Sequence, residues 1–402
     1  MLHIVKPLLR RPLMPLLVVL QVALACAIAC NALFLLQQKV APLVAPDGIG
    51  DPGNLVFLHG MFPRGDPWPA AQLRGLEDEL RGVPGVQGVG YAATLPMVSA
   101  AQFTMDVGKR DGHAGVSTTM YFGDHLVRML GLRRVAGRDF TPEEAAADID
   151  LGSGRDGPVI ITRALADRLF PDGEAVGKLL PGTNSPVVGV VAHLMRNKFI
   201  QGNRDLDYTI LRPGVPKQWP APMYAVRLAT PDKAQACKSM LSLVQRALGS
   251  KLLPGQHIQC DAYPDLRDQM LAPQRAAVWL LSGVTLIVLV VTLTGIMGMT
   301  GYWVQQRTRS IGVRRALGAK RSDVLRELLI ENLVVAAVGV VVGLIAACGI
   351  NLWLMRHYEL LRLPVVYLPL GAALLVALGQ LAVLAPARRA SRIPPIVATR
   401  AL

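Results

Sequence analysis

Four long stretches without a charged residue constrain the fold of this chain more than any other feature. They cover residues 13–36, 276–306, 332–355 and 363–387 and contain 24, 31, 24 and 25 residues, respectively. A helix needs roughly 20 apolar residues to cross the hydrocarbon core of a bilayer, so each stretch is long enough. The sequence therefore predicts an α-helical membrane protein with four transmembrane helices, one near the start of the chain and three near its end.

The segment between the first and second apolar stretches has the composition of a water-soluble domain. Residues 37–273 contain 25 basic and 24 acidic residues, whereas the rest of the chain contains 17 basic and 4 acidic residues. Because positively charged loops stay in the cytoplasm, the basic 307–326 connection and both termini are predicted to be cytoplasmic, and 37–273 extracytoplasmic. The basic excess is explained by this topology, which argues against nucleic-acid binding.

The charge and hydropathy patterns together divide the chain into parts. In order, these are an interfacial segment (1–12), the first transmembrane helix (13–36), an extracytoplasmic domain (37–273) with an inserted subdomain at about 105–200, the second transmembrane helix (276–304), a cytoplasmic hairpin (305–323), the third transmembrane helix (324–355), a short external loop (356–362), the fourth transmembrane helix (363–387) and a cytoplasmic tail (388–402). An uncleaved first helix is favoured over a signal peptide, whose apolar core is usually about 7–15 residues.

Hydrophobic periodicity within 37–273 predicts an α+β domain. Helices are expected at 72–83, 162–170 and 231–248, strands at 88–93, 158–162, 186–192, 223–228 and 256–263, hairpins in 102–127, and a loop at 196–212. Cys237 falls in the last of these helices and Cys260 in the last strand. Their sulfurs would meet if that strand packs against its helix, which makes a disulfide one hypothesis and two unpaired core cysteines the other.

Several strings of residues make the chain resemble a known family over nearly its whole length. The strings are YF (121–122), LGL (130–132), AGRDFTPEE (136–144), PVII (158–161), ALADRLFP (164–171), AVGK (175–178) and VGVV (188–191). They resemble the periplasmic core domain of MacB-type ABC transporter permeases. RTRSIGVRRALGA (307–319) and PARRASR (386–392) followed by two prolines resemble the hairpin and tail of FtsX-like permeases. This chain has Ser310 where the family usually has an acidic residue.

The resemblance implies a location, partners and an activity. It implies a bacterial inner-membrane permease with its large domain in the periplasm, a second permease copy and a separate ABC ATP-binding subunit that binds ATP and Mg. A periplasmic adaptor and an outer-membrane channel are further partners that some such systems imply. The expected activity is mechanotransmission, in which ATP hydrolysis by the partner moves the periplasmic domain and drives efflux. The alternatives are an FtsX-like regulator of a cell-wall hydrolase and a lipoprotein-releasing permease.

The basic hairpin is the candidate site for coupling to the ATPase. Its candidate coupling residues are Arg307, Arg309, Ile311, Gly312, Arg314, Arg315, Ala316, Leu317 and Gly318. Ile311, Ala316 and Leu317 would give a short helix an apolar edge, Gly318 would supply a left-handed C′ cap, and Ser322 would cap the third membrane helix. The alternative is a basic loop that only fixes topology.

No catalytic or metal-binding pattern is recognisable in the sequence. A P-loop needs Gly-x4-Gly-Lys-Ser/Thr, and the string at 173–179 has the wrong spacing and no hydroxyl, so a turn is expected there. The chain is therefore expected not to be an enzyme and to bind no cofactor or metal itself.

The pair Gly339 and Gly343 permits close helix approach, either within one subunit or at a dimer seam. The few polar residues in the apolar stretches predict no hydrophilic channel.

Overall fold

The computed structural model describes residues 13–98, 103–108, 115–146, 149, 157–171, 173–197, 206–216, 219, 221–230, 232–358, 364 and 366–391. The chain forms two compact units. One, the helical unit, consists of the residues up to Ala41 and those from Gln274 onward, and the other, the α/β unit, is Pro42–Pro273. The expected α+β domain thus lies between the first and second long helices.

Four helices of the helical unit are long and apolar enough to cross a membrane. They are α1 (Leu13–Val44), α7 (Tyr263–Ala316), α8 (Arg321–Tyr358) and α9 (Tyr367–Ser391). The helices extend beyond most of the sequence-based boundaries, since α1 ends at Val44 rather than 36, α7 begins at Tyr263 rather than 276, and α8 and α9 end at Tyr358 and Ser391 rather than 355 and 387. The second membrane helix does not end at 304 but continues as α7 to Ala316, so the hairpin has no separate short helix, and α8 begins at Arg321 rather than 324.

The α/β unit has ten strands and five complete α-helices among its described residues. The strands are β1 (Leu55–His59), β2 (Val86–Ala92), β3 (Phe103–Val107), β4 (Val116–Phe122), β5 (Arg134–Gly137), β6 (Val159–Thr162), β7 (Val187–Val191), β8 (Thr209–Arg212), β9 (Met223–Leu228) and β10 (Gln259–Ala262). The helices are α2 (Ala70–Arg81), α3 (Leu126–Met129), α4 (Pro142–Ala146), α5 (Arg163–Leu169) and α6 (Lys233–Leu248).

The strands form two sheets. The first has the order β10-β1-β9-β2 and is antiparallel throughout. The second has the order β3-β4-β8-β6-β7-β5 and is mixed, since β4 pairs in parallel with β8 and β6 with β7. Its strands span 103–212, which is wider than the 105–200 insertion expected from the sequence.

The two sheets share their hydrophobic cores. One cluster joins Val56 and Val226 of the first sheet to Ile161 of the second. Another joins Phe57 of the first sheet to Ile160 and Leu211 of the second. Removing the second sheet would expose apolar side chains of the first sheet to water. This exposure costs a free energy of about 25 cal/mol for each Å² of apolar surface. The inserted section is therefore not a module that can be deleted without loss of folding.

Three strands differ from the sequence-based expectation. The 196–212 segment was expected to be a loop, but its last four residues form β8, which lies between β4 and β6 in the centre of the second sheet. The strands β1 and β5 were not predicted.

Cys237 of α6 and Cys260 of β10 are joined by a disulfide, with Cα atoms 5.8 Å apart. The strand returns beside its helix because β10 pairs with the edge of β1.

The candidate coupling hairpin

The turn between α7 and α8 is closed by a glycine in the left-handed conformation. Gly318 has φ +102°, and the Ala319 N–H donates to the Arg314 carbonyl at 3.1 Å. The Leu317 N–H donates to the Val313 carbonyl at 3.0 Å. A positive φ at C′ with a bond from C″ to C3 defines a Schellman cap. Gly318 is thus the C′ cap expected from the sequence, and it makes the turn tight.

The start of α8 is capped differently from expectation. Ser322 was expected to be the N-cap, but the helix already begins at Arg321, which puts Ser322 inside its first turn. Asp323 instead accepts a hydrogen bond from the Lys320 N–H at 3.0 Å. A side chain at N3 that reaches back to the N-cap N–H is half of a capping box. The acidic residue also complements the positive end of the helix dipole.

Two arginines of α7 cross-link the hairpin to α8. Nη1 of Arg314 donates to both carboxylate oxygens of Glu327, at 2.9 Å each. Nη1 of Arg307 donates to Oε1 and Oε2 of Glu331, at 2.8 and 2.7 Å. The Glu331 side chain is only 3% exposed, so removing Arg307 would leave a buried unpaired charge. These two ion pairs brace the ends of α7 and α8 against each other.

Sequence reasoning did not single out either glutamate. Their spacing could have drawn attention to them: Glu327 and Glu331 are four residues apart, and residues four apart lie on one face of a helix. Arg307 and Arg314 are seven apart, which also places them on one face of α7. The matching spacings on consecutive antiparallel helices could have indicated the two ion pairs.

The expected apolar edge of the hairpin is divided between the core and the surface. Ile311 is buried and belongs to the same core cluster as Val324 and Leu328 of α8. Leu317, in contrast, is 83% exposed at the tip of the turn, and Val313 one turn earlier is 49% exposed. The expectation that Ile311 lies on a free edge is wrong, because the fold buries Ile311 in this cluster. Val313 is an exposed apolar residue that the sequence analysis missed.

The remaining candidate coupling residues, and Ser310, lie in the last turns of α7. Gly312 is buried in α7 next to Ile311. The side chains of Arg309, Arg315 and Ala316 lie outside the described residues. Ser310, where the family usually has an acid, is exposed to solvent.

The glycine pair of α8 packs within the chain. A Cβ added at Gly339 would lie 2.8 Å from Cβ of Val22, and one added at Gly343 would lie 2.6 Å from the carbonyl oxygen of Ala23. Both contacts are with α1, so the glycines allow α1 and α8 to approach closely. Packing within one subunit is thus observed for this pair, and a dimer seam stays a prediction.

Several polar side chains of the membrane helices are satisfied by neighbouring backbone. Nε2 of Gln21 donates to the Val291 carbonyl at 3.0 Å, and Nδ2 of Asn31 donates to the Ala27 carbonyl at 2.9 Å. The hydroxyls of Thr285, Thr292 and Thr294 each donate to the carbonyl four residues earlier. Of these bonds, that of Gln21 joins α1 to α7, whereas the others lie within one helix, and none of these five side chains is a free polar group.

The string that superficially resembles a P-loop is a turn in the α/β unit. Gly177 has φ +84° and its N–H donates to the Val187 carbonyl at 2.8 Å. Lys178 lies with Nζ 5.4 Å from the centre of the Phe170 ring. Within the described part of the chain, no group of three or more His, Cys, Asp or Glu residues could hold a metal ion.

Comparison with known protein families identifies both units. Residues 38–242 match the MacB-like periplasmic core domain, and residues 282–395 match the FtsX-like permease C-terminal domain. The chain belongs to the MacB/FtsX-type family of ABC transporter permeases. The FtsX-like match at 282–395 contains the whole candidate coupling hairpin. The MacB-like match at 38–242 lies almost entirely in the α/β unit.

Individual relatives agree with this family. The macrolide export ATP-binding/permease protein MacB of Chromobacterium violaceum is 28% identical over 350 residues, which are 83% of this chain and 50% of that protein. An uncharacterized ABC transporter permease of Bacillus subtilis, YvrN, is 29% identical over 290 residues, 69% of this chain and 68% of that protein. The chain thus spans about half the length of the MacB protein it matches.

A solved structure is also similar to part of the chain. It is a domain of a putative permease from Porphyromonas gingivalis, 14% identical, with a TM-score of 0.33, covering 53% of this chain and 92% of that domain.

Proposed function

We propose that this permease couples ATP hydrolysis by a separate ATP-binding subunit to motion of its α/β unit, and that this motion drives export of a substrate from the periplasm. The observation that supports the proposal best is Leu317, an 83% exposed leucine at the tip of a turn that is capped and braced. Full burial of a leucine contributes about 1.5–3 kcal/mol. An apolar side chain held out on a stiff element is suited to insert into a partner.

The contacts within the hairpin make it suited to transmit a displacement from the partner to the membrane helices. Its turn is held by the Gly318 cap, and its two helices are joined by the Arg314–Glu327 and Arg307–Glu331 ion pairs. On one side it continues without a break into α7, a single helix of 54 residues that begins at Tyr263 in the α/β unit. Displacement of the hairpin is therefore applied to a continuous helix and not to a flexible linker.

The two ends of the α/β unit are held together where the chain enters and leaves it. The Tyr263 hydroxyl donates to Oδ2 of Asp47 at 3.0 Å, and Nε of Arg267 lies 3.0 Å from the same oxygen. Asp47 follows α1, and the other two residues lie in the first turns of α7. This contact supports the proposal, because movement of α7 would be passed to the segment after α1.

The charge distribution supports an inner-membrane location with the hairpin in the cytoplasm. Basic residues crowd the segment around the turn, whereas 37–273 is nearly neutral with 25 basic and 24 acidic residues. The α/β unit would then be periplasmic and the hairpin would face the ATP-binding subunit. A second permease copy, and an adaptor with an outer-membrane channel, are partners in the same proposal.

Co-purification of the ATP-binding subunit with Leu317→Asp tests the proposal. A carboxylate placed where the leucine would be buried costs several kcal/mol if unpaired, so at least about a tenfold loss of affinity is expected. Ser310→Asp is the matched control, because it adds the same charge at an exposed position of the hairpin. Undiminished binding of Leu317→Asp would remove the hairpin tip from the interface.

A further inference from the structure

A cleft of about 550 Å³ lies in the α/β unit, between the end of β1, the start of β10 and the first turns of α7. This volume is within the range of about 300–1,000 Å³ typical of sites for small organic ligands. Its apolar lining includes Phe62, Met97, Val98, Leu266 and Met270. The coupling hairpin and the family's sequence strings do not include any of these residues.

One wall of the cleft is held in a strained conformation. Met97 is 2% exposed and has φ +64°, in the left-handed region that residues other than glycine rarely adopt. Asn197 fixes this conformation, since its Oδ1 accepts from the Met97 N–H at 2.7 Å. Nδ2 of Asn197 donates to the carbonyls of Leu95 and Val98, at 2.7 and 3.2 Å.

Asn197 is itself held in place from the second sheet. The hydroxyl of Tyr121, in β4, donates to Oδ1 of Asn197 at 2.7 Å. Both residues are buried, at 0% and 2% exposure. Strained backbone that its surroundings over-determine is concentrated at binding sites. The wall formed by Met97 and Val98 is therefore pre-formed.

The opposite side of the cleft provides a charged group. Oδ2 of Asp261 lies 2.9 Å from Nε2 of His59, whose side chain is 10% exposed, while the Asp261 side chain is 34% exposed. The buried imidazole thus orients a carboxylate whose remaining surface is open to the cleft. Among the described lining residues, Asp261 is the one acidic side chain, and lysine and arginine are absent.

We propose that this cleft binds an amphipathic organic amine, with its apolar body against Met97, Val98, Leu266 and Met270 and its ammonium group beside Asp261. The lining combines an apolar wall with polar side chains that include His59, His257 and the carboxylate of Asp261. An apolar wall that faces an oriented carboxylate complements a ligand with a single positive charge on an apolar frame. The inference rests on the proposed function, for which it names a substrate class. Leu266 and Met270 lie on α7, so a bound ligand would contact the same helix that ends in the coupling hairpin.

Fluorescence binding of a matched pair of probes to the full chain in phosphatidylcholine nanodiscs tests the proposal. The probes are dansylcadaverine, an amphipathic amine, and N-pentyl dansylamide, which has the same ring and chain without the amine. Saturable binding of the amine is expected, with about tenfold weaker binding of the neutral probe. Because the ATP-binding subunit is absent, failure here is distinguishable from failure of coupling at Leu317.

Three variants locate the binding. Asp261→Asn is expected to reduce affinity for the amine about tenfold and to leave the neutral probe unchanged. Gln269→Trp fills the cleft from an exposed lining position and is expected to abolish saturable binding of both probes. Asp265→Asn, a charge change on the same helix outside the lining, is the control and should bind as the parent does.

Two results would overturn the site. One is equal affinity of both probes for the parent and for Asp261→Asn, which would exclude recognition of the ammonium group. The other is binding that Gln269→Trp leaves intact, which would place the probes in the bilayer. If the tryptophan variant does not fold, Gln269→Ala replaces it: this variant enlarges the cleft and retains the carboxylate, so a changed affinity for both probes supports the cleft as their site and an unchanged affinity for both overturns it.

Discussion

Nη1 of Arg314 lies 2.9 Å from both carboxylate oxygens of Glu327, across the turn that joins α7 to α8. The family resemblance suggested a direct contact with the ATPase for this arginine. In the structure its Nη1 is bound within the chain, and the contact with the ATPase stays a prediction. Both side chains are partly exposed, at 60% and 40%, so the pair contributes little to stability. Its effect should be on the rigidity of the hairpin.

Charge reversal and exchange test this role for Arg314. Arg314→Glu is expected to lower ATP hydrolysis by the reconstituted permease–ATPase pair severalfold, because it places two like charges across the turn. Arg314→Glu with Glu327→Arg restores the ion pair with its direction reversed and should recover most of the rate. If the double variant remains as defective as the single one, Arg314 acts on the partner and not as a brace.

The orientation of the chain can be tested by cysteine labelling in intact cells. Ser242 and Ser310 are both exposed, the first on α6 and the second near the end of α7. In a Cys348→Ala background, Ser242→Cys should react with a membrane-impermeant maleimide and Ser310→Cys only after lysis. The reverse pattern would exclude a cytoplasmic hairpin and with it an ATPase partner at Leu317.

The packing of α1 against α8 should depend on the two glycines. Gly339→Leu places side-chain atoms where Val22 already lies, since even its Cβ would be 2.8 Å from Cβ of that valine. Overpacking of this kind costs about 1–3 kcal/mol and should lower the melting temperature of the purified protein in detergent. Gly298→Leu is the control, because the added Cβ meets no atom within 4 Å. Equal losses from both variants would refute the intrachain packing.

The stability of the α/β unit should depend on pH through Glu77. Burial raises the pKa of this carboxyl from 4.5 to about 7, despite its ion pair with Arg81. A raised folded-state pKa means that the folded state binds more protons, so the free energy of unfolding falls as pH rises from about 4.5 through 7. Burial also raises the pKa of Asp124, which acts in the same direction.

Thermal unfolding of the full chain at pH 5 and pH 7.5 measures this effect. The parent should lose on the order of 1–3 kcal/mol between the two values. Glu77→Gln, which mimics the protonated form, should lose much less, whereas Glu79→Gln, at an exposed position of the same helix, should behave as the parent. An unchanged pH dependence in Glu77→Gln would show that another group titrates.

The features that sequence reasoning predicted are those with a strong local physical cause. Four uncharged stretches specify four long helices through the thickness of the bilayer. Gly318 after the last turn of α7 specifies its cap, because glycine adopts the left-handed conformation without steric cost. From the sequence, the disulfide between Cys237 and Cys260 is one of two hypotheses, because it requires the strand of Cys260 to pack against the helix of Cys237. The pairing of β10 with β1 provides that arrangement.

What the sequence did not predict depends on tertiary contacts. β8 has only four residues and follows a polar segment, and its central place results from pairing with β4 and β6, which lie far away in sequence. Ile311 and Leu317 look equivalent in the sequence, but the return of α8 buries the first and leaves the second exposed. β1, in contrast, could have been predicted, since an apolar run between Asn54 and Gly60 is a typical strand signal.

ATP-driven motion of the α/β unit is the central claim, and single-molecule fluorescence transfer tests it most directly. Donor and acceptor dyes would be attached to Ser242→Cys on α6 and His357→Cys at the end of α8, in a Cys348→Ala chain reconstituted with its ATP-binding subunit. The transfer efficiency is expected to change when ATP is added and to stay fixed in the same chain with Leu317→Asp. An efficiency that ATP leaves unchanged while the assembly hydrolyses it would contradict mechanical coupling.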